Sequence, residues 1–463
     1  MGGGHSFNPT ILREYDIRGI VGETLNKEDV YAAARAFGTV IVRQGGSSVA
    51  IGYDGRLTSP DLEAAAVDGL GACGLKVYRV GRGPTPMLYL STYMLETDGG
   101  MMITGSHNPP THNGIKMMLG GKSFYGMAIQ ELGAIAKNGT YAEGGGQIID
   151  RPMLEDYVAR VLKDFRRGRD LKVAWDAGNG SAGEAMVKVT EKLPGTHILL
   201  FEKIDGTFPN HHPDPTVEKN LADLKEVVLR EGCDLGVAFD GDGDRIGVID
   251  GKGRVLWGDQ LMAIWASEVI NSQPGATIIG DVKMSQVFFD QVAAMGGKPH
   301  MEKTGHSIIK SKMAEMKSPL AGEMSGHIFF ADKYHGFDDA LYAAIRLLSI
   351  IANGDKSLAE IRDALPQTVA TPELRIDCPD ERKFDVIDEV KARLASMSGI
   401  EVNDVDGVRV LTEDGWWLLR ASNTQAVLVA RCEAKDEAGL QRLKAAVAEQ
   451  MTASGVDPSG IEG

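Results

Sequence analysis

Short apolar runs recur along the chain, each closed by a turn that bears Asp or Gly and followed by helical periodicity. Three share this pattern: "SVAIGYDGR" (48–56), "LKVAWDAGNGSAG" (171–183) and "ATIIGDVKMS" (276–285). A continuous β-rich run bounded by turn residues reads as a buried strand, and strand–loop–helix alternation predicts layered α/β architecture. The runs lie roughly a hundred residues apart, which is the size of one domain. Successive α/β domains are therefore expected, although the shared pattern is too short to establish duplication. Two further runs, "MMI" (101–103) and "LGVAF" (235–239), read as strands that stop at unusually polar loops.

The pattern changes after "LPQTVATPELRIDCPDERK" (365–383), a Pro-rich stretch that reads as a linker. Beyond it a helix is expected from about Phe384. Then "GVRVLTEDGWWLLRASNTQAVLVARCEA" reads as strand, turn at Glu413-Asp414-Gly415, strand, loop and strand, before a helix rich in Ala, Lys and Leu. The chain has 463 residues, more than a single core usually holds. The expected division is 1–151, 152–253 and 254–368 as α/β domains, with 369–463 as a small α+β domain.

Composition narrows the function. The formal net charge is −15, which argues against nucleic acid or an anionic membrane as partner, since either needs a basic face. An acidic protein that handles an anion must gather its cations locally. Cys73, Cys233, Cys378 and Cys432 form no C-x-x-C pair, as suits thiols of a reducing compartment. No apolar run approaches the ~20 residues of a membrane span. The start "MGGGHSFNPT" matches a myristoylation pattern only loosely and lacks the regions of a signal peptide. A cytoplasmic protein is expected.

The loop after 101–103 is "TGSHNPPTHNGIK". Ser106 follows Gly105, read here as supplying an unusual backbone angle, and Asn108-Pro109-Pro110 stiffens the exit. A backbone-capping serine is the ordinary alternative. There is no G-x-S-x-G elbow, so a serine that carries phosphate is the stronger chemical reading. Such a serine requires a metal and cations. The metal candidate is "DGDGDR" (240–245), in which Asp240, Asp242 and Asp244 alternate with glycines directly after a strand. Converging carboxylates repel unless a cation sits among them, and hard oxygen ligands select Mg²⁺ or Ca²⁺. An EF-hand fails, with Arg245 at its sixth position and Gly251 at its twelfth. The alternative is a solvated acidic turn.

In "AGEMSGHIFF" (321–330), an extended backbone would project Glu323, Ser325 and His327 to one side, a reader of adjacent sugar hydroxyls. In "LLRASNTQAV" (418–427), Arg420, Ser422, Asn423 and Thr424 suit a phosphate, or an ordinary hairpin turn. Arg18, Lys283 and His306 stand at similarly placed turns. The "GYDGRLTSP" run (52–60) reads as structural turn chemistry.

Together and in this order, "TGSHNP", "DGDGDR", "GEMSGH" and "RASNT" resemble the signatures of the α-D-phosphohexomutase family, over essentially the whole chain. The resemblance is nearest the bacterial phosphomannomutase/phosphoglucomutase branch. It implies three related α/β domains around a central cleft plus a C-terminal domain like the TATA-binding protein. It further implies isomerisation of glucose and mannose 1- and 6-phosphates, with Ser106 as the phosphoserine and Mg²⁺ held by Ser106, Asp240, Asp242 and Asp244. Arg245 would stabilise the transferring phosphoryl group. Glu323, Ser325 and His327 would face the sugar, with Tyr15, Lys283 and His306 as further substrate contacts. Arg420, Ser422, Asn423 and Thr424 would grip the unreactive phosphate. Lys116, His107, Arg18 and His327 are the general acid/base candidates, and Lys116 would need a depressed pKa for that role. A hexose 1,6-bisphosphate activator, and a monomer or weak dimer, are also implied. The rivals are a phosphoglucosamine mutase (which usually carries Ala where Gly105 stands), a metal-dependent phosphatase and a catalytically silent sugar-phosphate sensor.

Overall fold

Each of the three expected α/β segments forms a sheet with one and the same strand order. In the computed structural model, which describes residues 4–423 and 425–462, Ser48–Tyr53 lies between parallel neighbours Lys76–Arg82 and Gly99–Ile103. His112–Leu119 then returns antiparallel to Gly99–Ile103. In the second unit Leu171–Asp176 lies between Gly195–Leu200 and Leu235–Phe239, and Ile246–Asp250 returns antiparallel. In the third, Thr277–Asp281 lies between Lys298–Glu302 and Leu320–Gly322, and Ile328–Phe330 returns. The three runs with a shared pattern are thus the same central strand of three related units. Neighbours on both sides and helices on the faces bury these strands, which is why they read as continuous rather than alternating apolar runs.

The turn between the last parallel strand and its antiparallel return is the position that matters. It spans 104–111 in the first unit, 240–245 in the second and 323–327 in the third, so three of the four polar motifs occupy equivalent places. These turns lie at the carboxyl ends of parallel strands, where open α/β sheets bind ligands. Helices Thr85–Met94 and Ala340–Asn353 belong to one continuous apolar core with the sheets, including Trp175, Trp265 and Tyr342. That shared core fixes the three turns relative to one another.

The C-terminal domain has a separate core. Its antiparallel sheet runs Val369–Ala370, Val427–Ala434, Gly415–Ala421, Val408–Leu411, Glu401–Asn403, with Leu374–Asp377 also on Val427–Ala434. Two departures from the expected elements occur here. The stretch 365–383 is not a linker, because Val369–Ala370 and Leu374–Asp377 join the sheet; its prolines lie between and beyond these short pieces and hide them from a periodicity reading. The helix runs Asp380–Leu394, starting before Phe384, with Pro379 capping it and Asp380 and Glu381 in its first turn. In the second unit Val255–Leu256 folds back onto Ile246–Asp250, so a division after residue 253 falls within that sheet's edge. No described helix is long and apolar enough to cross a membrane.

Candidate active site

Ser106 is 3% exposed and has φ +50°, a left-handed backbone that costs a residue with a Cβ about 1 kcal/mol. The unusual angle therefore lies at the serine and not at Gly105. Gly105 serves a different end: a Cβ there would fall 2.5 Å from the Arg56 guanidinium carbon and 2.8 Å from the His112 carbonyl oxygen. Thr104 Oγ1 accepts the Ser106 N–H at 2.8 Å. Ser106 Oγ stands 3.2 Å from Asp240 Oδ2 and 3.1 Å from His107 Nδ1. Burial, with Arg245 and Arg18 nearby, holds the His107 imidazole well below its ordinary value, so it is neutral.

Asp240, Asp242 and Asp244 are fully buried, and their ligand oxygens lie within 4.8 Å of one another. The glycines between them do what the spacing suggests. Gly243 takes φ +73°, and a Cβ on Gly241 would strike the Ser106 carbonyl oxygen at 2.3 Å. Asp242 Oδ2 accepts from Thr85 Oγ1 (2.5 Å), Thr104 Oγ1 (3.2 Å) and Lys116 Nζ (2.8 Å), and Lys116 also reaches Asp244 Oδ2 at 2.5 Å. Asp242 Oδ1 and Asp244 Oδ1 are buried with no hydrogen-bond partner among the described residues. Orphaned carboxylate oxygens in a hard-oxygen set fit a magnesium ion. Burial pushes Asp240 well up, reinforced by Asp244 and Asp242, the expected behaviour of carboxylates crowded without a cation.

Lys116 is held by the acidic loop. Burial works to lower its pKa, but Asp242 and Asp244 outweigh it and hold the ammonium well above its ordinary value. Lys116 thus lies in a buried ion pair with two carboxylates of the acidic loop.

The third turn also departs from the sequence reading. Residues 323–327 are not extended; Glu323 N–H donates to His327 O (2.9 Å) and Gly326 N–H to Glu323 O (3.0 Å), closing a tight hairpin at Gly326, φ +88°. The Gly326 left-handed turn breaks the alternation that would have aligned three side chains. Glu323 Oε1 instead accepts the Gly305 N–H at 2.7 Å, and Ser325 is half-buried at the tip. His327 pairs backbone to backbone with Arg245, which docks the third unit onto the metal loop. Arg245 Nε donates to His327 Nε2 at 2.9 Å, so Nδ1 carries the ring proton and faces Asp338 Oδ2 at 2.9 Å. The trio Asp244, His327 and Asp338, although close enough for a metal, presents a ring N–H and not a lone pair to its carboxylates. Lys310 Nζ completes it at 2.9 Å from Asp338 Oδ1, and the His306 ring stacks on His327 at 5.3 Å.

The remaining candidates have polar partners of their own. Arg18 Nη1 donates to Asn108 Oδ1 at 2.8 Å and its Nη2 pairs with Asp16. Lys283 Nζ pairs with Glu373 at 3.1 Å, and holds that carboxyl down to about 2. Arg420 is 6% exposed and pairs with Asp406 at 2.8 Å, which also accepts the Thr304 N–H. Asn423 Nδ2 donates to Tyr15 Oη (3.1 Å), and Tyr15 donates to Thr304 O (3.1 Å), so one phenol joins the first, third and fourth domains. Burial pushes the Tyr15 hydroxyl up to about 12, which keeps it a donor. The Ser422 N–H donates to Val427 O and its Oγ accepts from Gln425 N–H. Thr424 lies outside the described residues. Sequence reasoning missed Arg56, Thr85, Asp338, Lys310 and Asp406. Of these only Arg56 carried a signal, the polar "DGR" at a strand end.

Four family models match this chain: phosphoglucomutase/phosphomannomutase alpha/beta/alpha domain I at 9–143, domain II at 155–253, domain III at 257–369 and the C-terminal domain at 373–450. The chain belongs to the phosphoglucomutase/phosphomannomutase family. It is 42% identical to a phosphomannomutase/phosphoglucomutase of Pseudomonas aeruginosa over 444 residues, covering 96% of each chain. It is also 42% identical to a phosphoglucomutase of Neisseria meningitidis over 437 residues, covering 94% of this chain and 95% of that one. A solved structure of a phosphoglucomutase/phosphomannomutase family protein from Burkholderia thailandensis superposes with TM-score 0.92 at 40% identity, covering 97% and 98% of the two chains. The family's four-domain plan is therefore the plan of this protein, an α-D-phosphohexomutase.

Proposed function

We propose that the protein interconverts the 1- and 6-phosphates of glucose and mannose through a phosphorylated Ser106 and a hexose 1,6-bisphosphate. The observation that carries this reading is the meeting of Ser106 Oγ with Asp240 at 3.2 Å, on two equivalent turns of related units. In the forward half, the phosphoryl group leaves Ser106 Oγ for the free hydroxyl of the bound hexose phosphate. A base takes the hydroxyl proton and Ser106 Oγ is left as the hydroxyl. The bisphosphate turns over in the cleft, and the reverse half returns its other phosphoryl group to Ser106. Asp240, Asp242 and Asp244 would hold a magnesium ion with a phosphoserine oxygen, and the bound ion offsets charge on the transferring group.

Proton handling falls to His107 and His327. His107 stands at Ser106 Oγ, suited to exchange that proton. His327 Nε2 holds a lone pair behind Arg245 Nε; once Arg245 pairs with the phosphoryl group, that nitrogen is free for the substrate hydroxyl. Lys116, paired with Asp242 and Asp244, balances the charge of the acidic loop. Arg420, Ser422, Asn423 and Thr424 grip the phosphate that does not react, with Tyr15, Lys283 and Arg18 at the rim, and Glu323, Ser325 and His306 beside the sugar. The phosphoglucosamine reading fits less well: relatives at 42% identity carry glucose or mannose mutase names, and an Ala at Gly105 would collide with Arg56. Added 1,6-bisphosphate is the expected activator, since it rephosphorylates Ser106.

Coupled assays offering glucose, mannose and glucosamine 1-phosphates separately test this reading, alongside intact-mass measurement of the purified protein. Turnover of the first two within about a hundredfold of each other, with one phosphoryl group on Ser106, is expected; glucose and mannose differ only at C2, and the proposed Glu323 contact is shared. Net release of inorganic phosphate without isomer, or a preference for the glucosamine phosphate, would overturn it.

A further inference from the structure

We propose that Arg56 is a positioning residue for phosphoryl transfer, its buried guanidinium acting as the template on which the Ser106 loop is folded. The proposal rests on Ser106 being the residue that carries the phosphoryl group. Arg56 is 2% exposed. Nη1 donates to the carbonyl oxygens of Pro109 (2.6 Å) and His112 (2.9 Å), and Nη2 to those of Ser106 (2.8 Å) and Asn108 (2.6 Å). Four carbonyls of one short loop thus converge on a single side chain from another strand end.

The carboxylate beside it completes the clamp. Asp54 Oδ2 faces Arg56 Nε at 3.2 Å and accepts the Gly105 N–H at 3.1 Å, while Oδ1 accepts from the Arg56 N–H and from Ser59 Oγ. Carbonyls of the loop are therefore tied to the guanidinium and an N–H of the loop to its counter-ion. Gly105 lies so close to the guanidinium that no Cβ fits, and the Phe208 ring of the second unit stands 5.2 Å from its carbon. The Ser106 carbonyl itself sits between Arg56 Nη2 and Gly241 of the metal loop. The same clamp that shapes the serine loop therefore registers it against the carboxylates.

Only a planar fork with donors on several edges can satisfy such a set; a lysine ammonium is a point charge with fewer, differently aimed protons. In-line transfer tolerates little displacement of the serine oxygen, so a distorted loop should slow the chemical step in both directions. Substrate binding, gripped elsewhere, should be spared. A purely structural role for this turn would instead lower the amount of folded protein and leave the turnover of what remains intact.

Arg56→Lys separates the two, since it keeps the charge and removes the fork. Its kcat for glucose 1-phosphate should fall about a hundredfold with KM within about threefold of wild type, and amide hydrogen exchange over residues 104–112 should quicken. In Arg56→Ala, added guanidinium ion should recover part of the lost kcat. Gly105→Ala, which presses a methyl group on the guanidinium while retaining it, should give the same split between kcat and KM, and it decides the matter if the Arg56 variants do not fold. A kcat in Arg56→Lys within about threefold of wild type, or a loss that guanidinium leaves untouched and that tracks only the folded fraction, would overturn the proposal. Absence of phosphoserine and turnover in the wild type would instead reject the Ser106 reading, while loop exchange in the variants would still report on the clamp.

Discussion

The loop that carries Ser106 and the loop that carries Arg420 are built in opposite ways. Around Ser106 the backbone is tied at almost every residue: Gly105 to Asp54, Ser106 to Thr104 and Arg56, Asn108, Pro109 and His112 to Arg56. Thr104, Gly105 and Ser106 are buried, and the strand that leads into them belongs to the core of the first unit. The C-terminal loop sits at the tip of a hairpin in a domain with its own core, and Asn423 and Gln425 are exposed. Among the described residues its ties to the other domains include Asn423 to Tyr15 and the Arg420 partner Asp406 to Thr304. Bond-making atoms need fixed geometry, whereas a group that grips one phosphate and then the other must let go between half-reactions. The contrast assigns rigidity to chemistry and adjustability to capture.

Breaking the rigid side should cost most. Ser106→Ala removes the phosphoryl carrier, so turnover should drop more than about a thousandfold and the intact mass should lose its phosphoryl increment. Full activity in that variant would collapse the comparison. Asp242→Asn keeps the shape but removes a ligand charge and a partner of Lys116; kcat should fall about a hundred- to a thousandfold, and chelation should silence the wild type until Mg²⁺ is restored. Metal-independent turnover would contradict the carboxylate reading.

The adjustable side should show itself in binding. Arg420→Ala loses a charge-assisted contact made in ground and transition states alike, so KM should rise about ten- to a hundredfold while kcat changes little. The bisphosphate should also escape more often, making the variant more dependent on added activator. Wild-type values for both would reduce the loop to an ordinary hairpin turn. Smallest of all, Tyr15→Phe deletes one hydroxyl bridging three domains, worth about two- to tenfold in KM. A larger loss in kcat than in KM would mean that closure of the fourth domain limits turnover.

Much of this was legible in the chain. The three matched runs became the same central strand three times, because burial on both faces leaves a continuous apolar signature. Ser106 and the trio of aspartates were legible because each motif is contiguous and its backbone is set locally. Arg56, Thr85, Asp338 and Lys310 were not, since their partners lie many residues away and an isolated polar residue in a turn looks the same with or without one. The 323–327 hairpin was missed because one left-handed glycine reverses a strand that alternation alone would extend.

The sequence by itself determined the four-domain plan and the family, and it singled out the serine loop and the acidic loop that the fold brings together, because these depend on local pattern and on motifs that stand in order. The tertiary structure alone decided the charge states and the supports. Asp242 and Asp244, more than a hundred residues distant, reach Lys116 in a buried site and hold its ammonium well above its ordinary value. Gly105 is required by the guanidinium of Arg56 and not by its own backbone angle. Electrostatic energy and steric exclusion act through space, and only the folded chain fixes those distances.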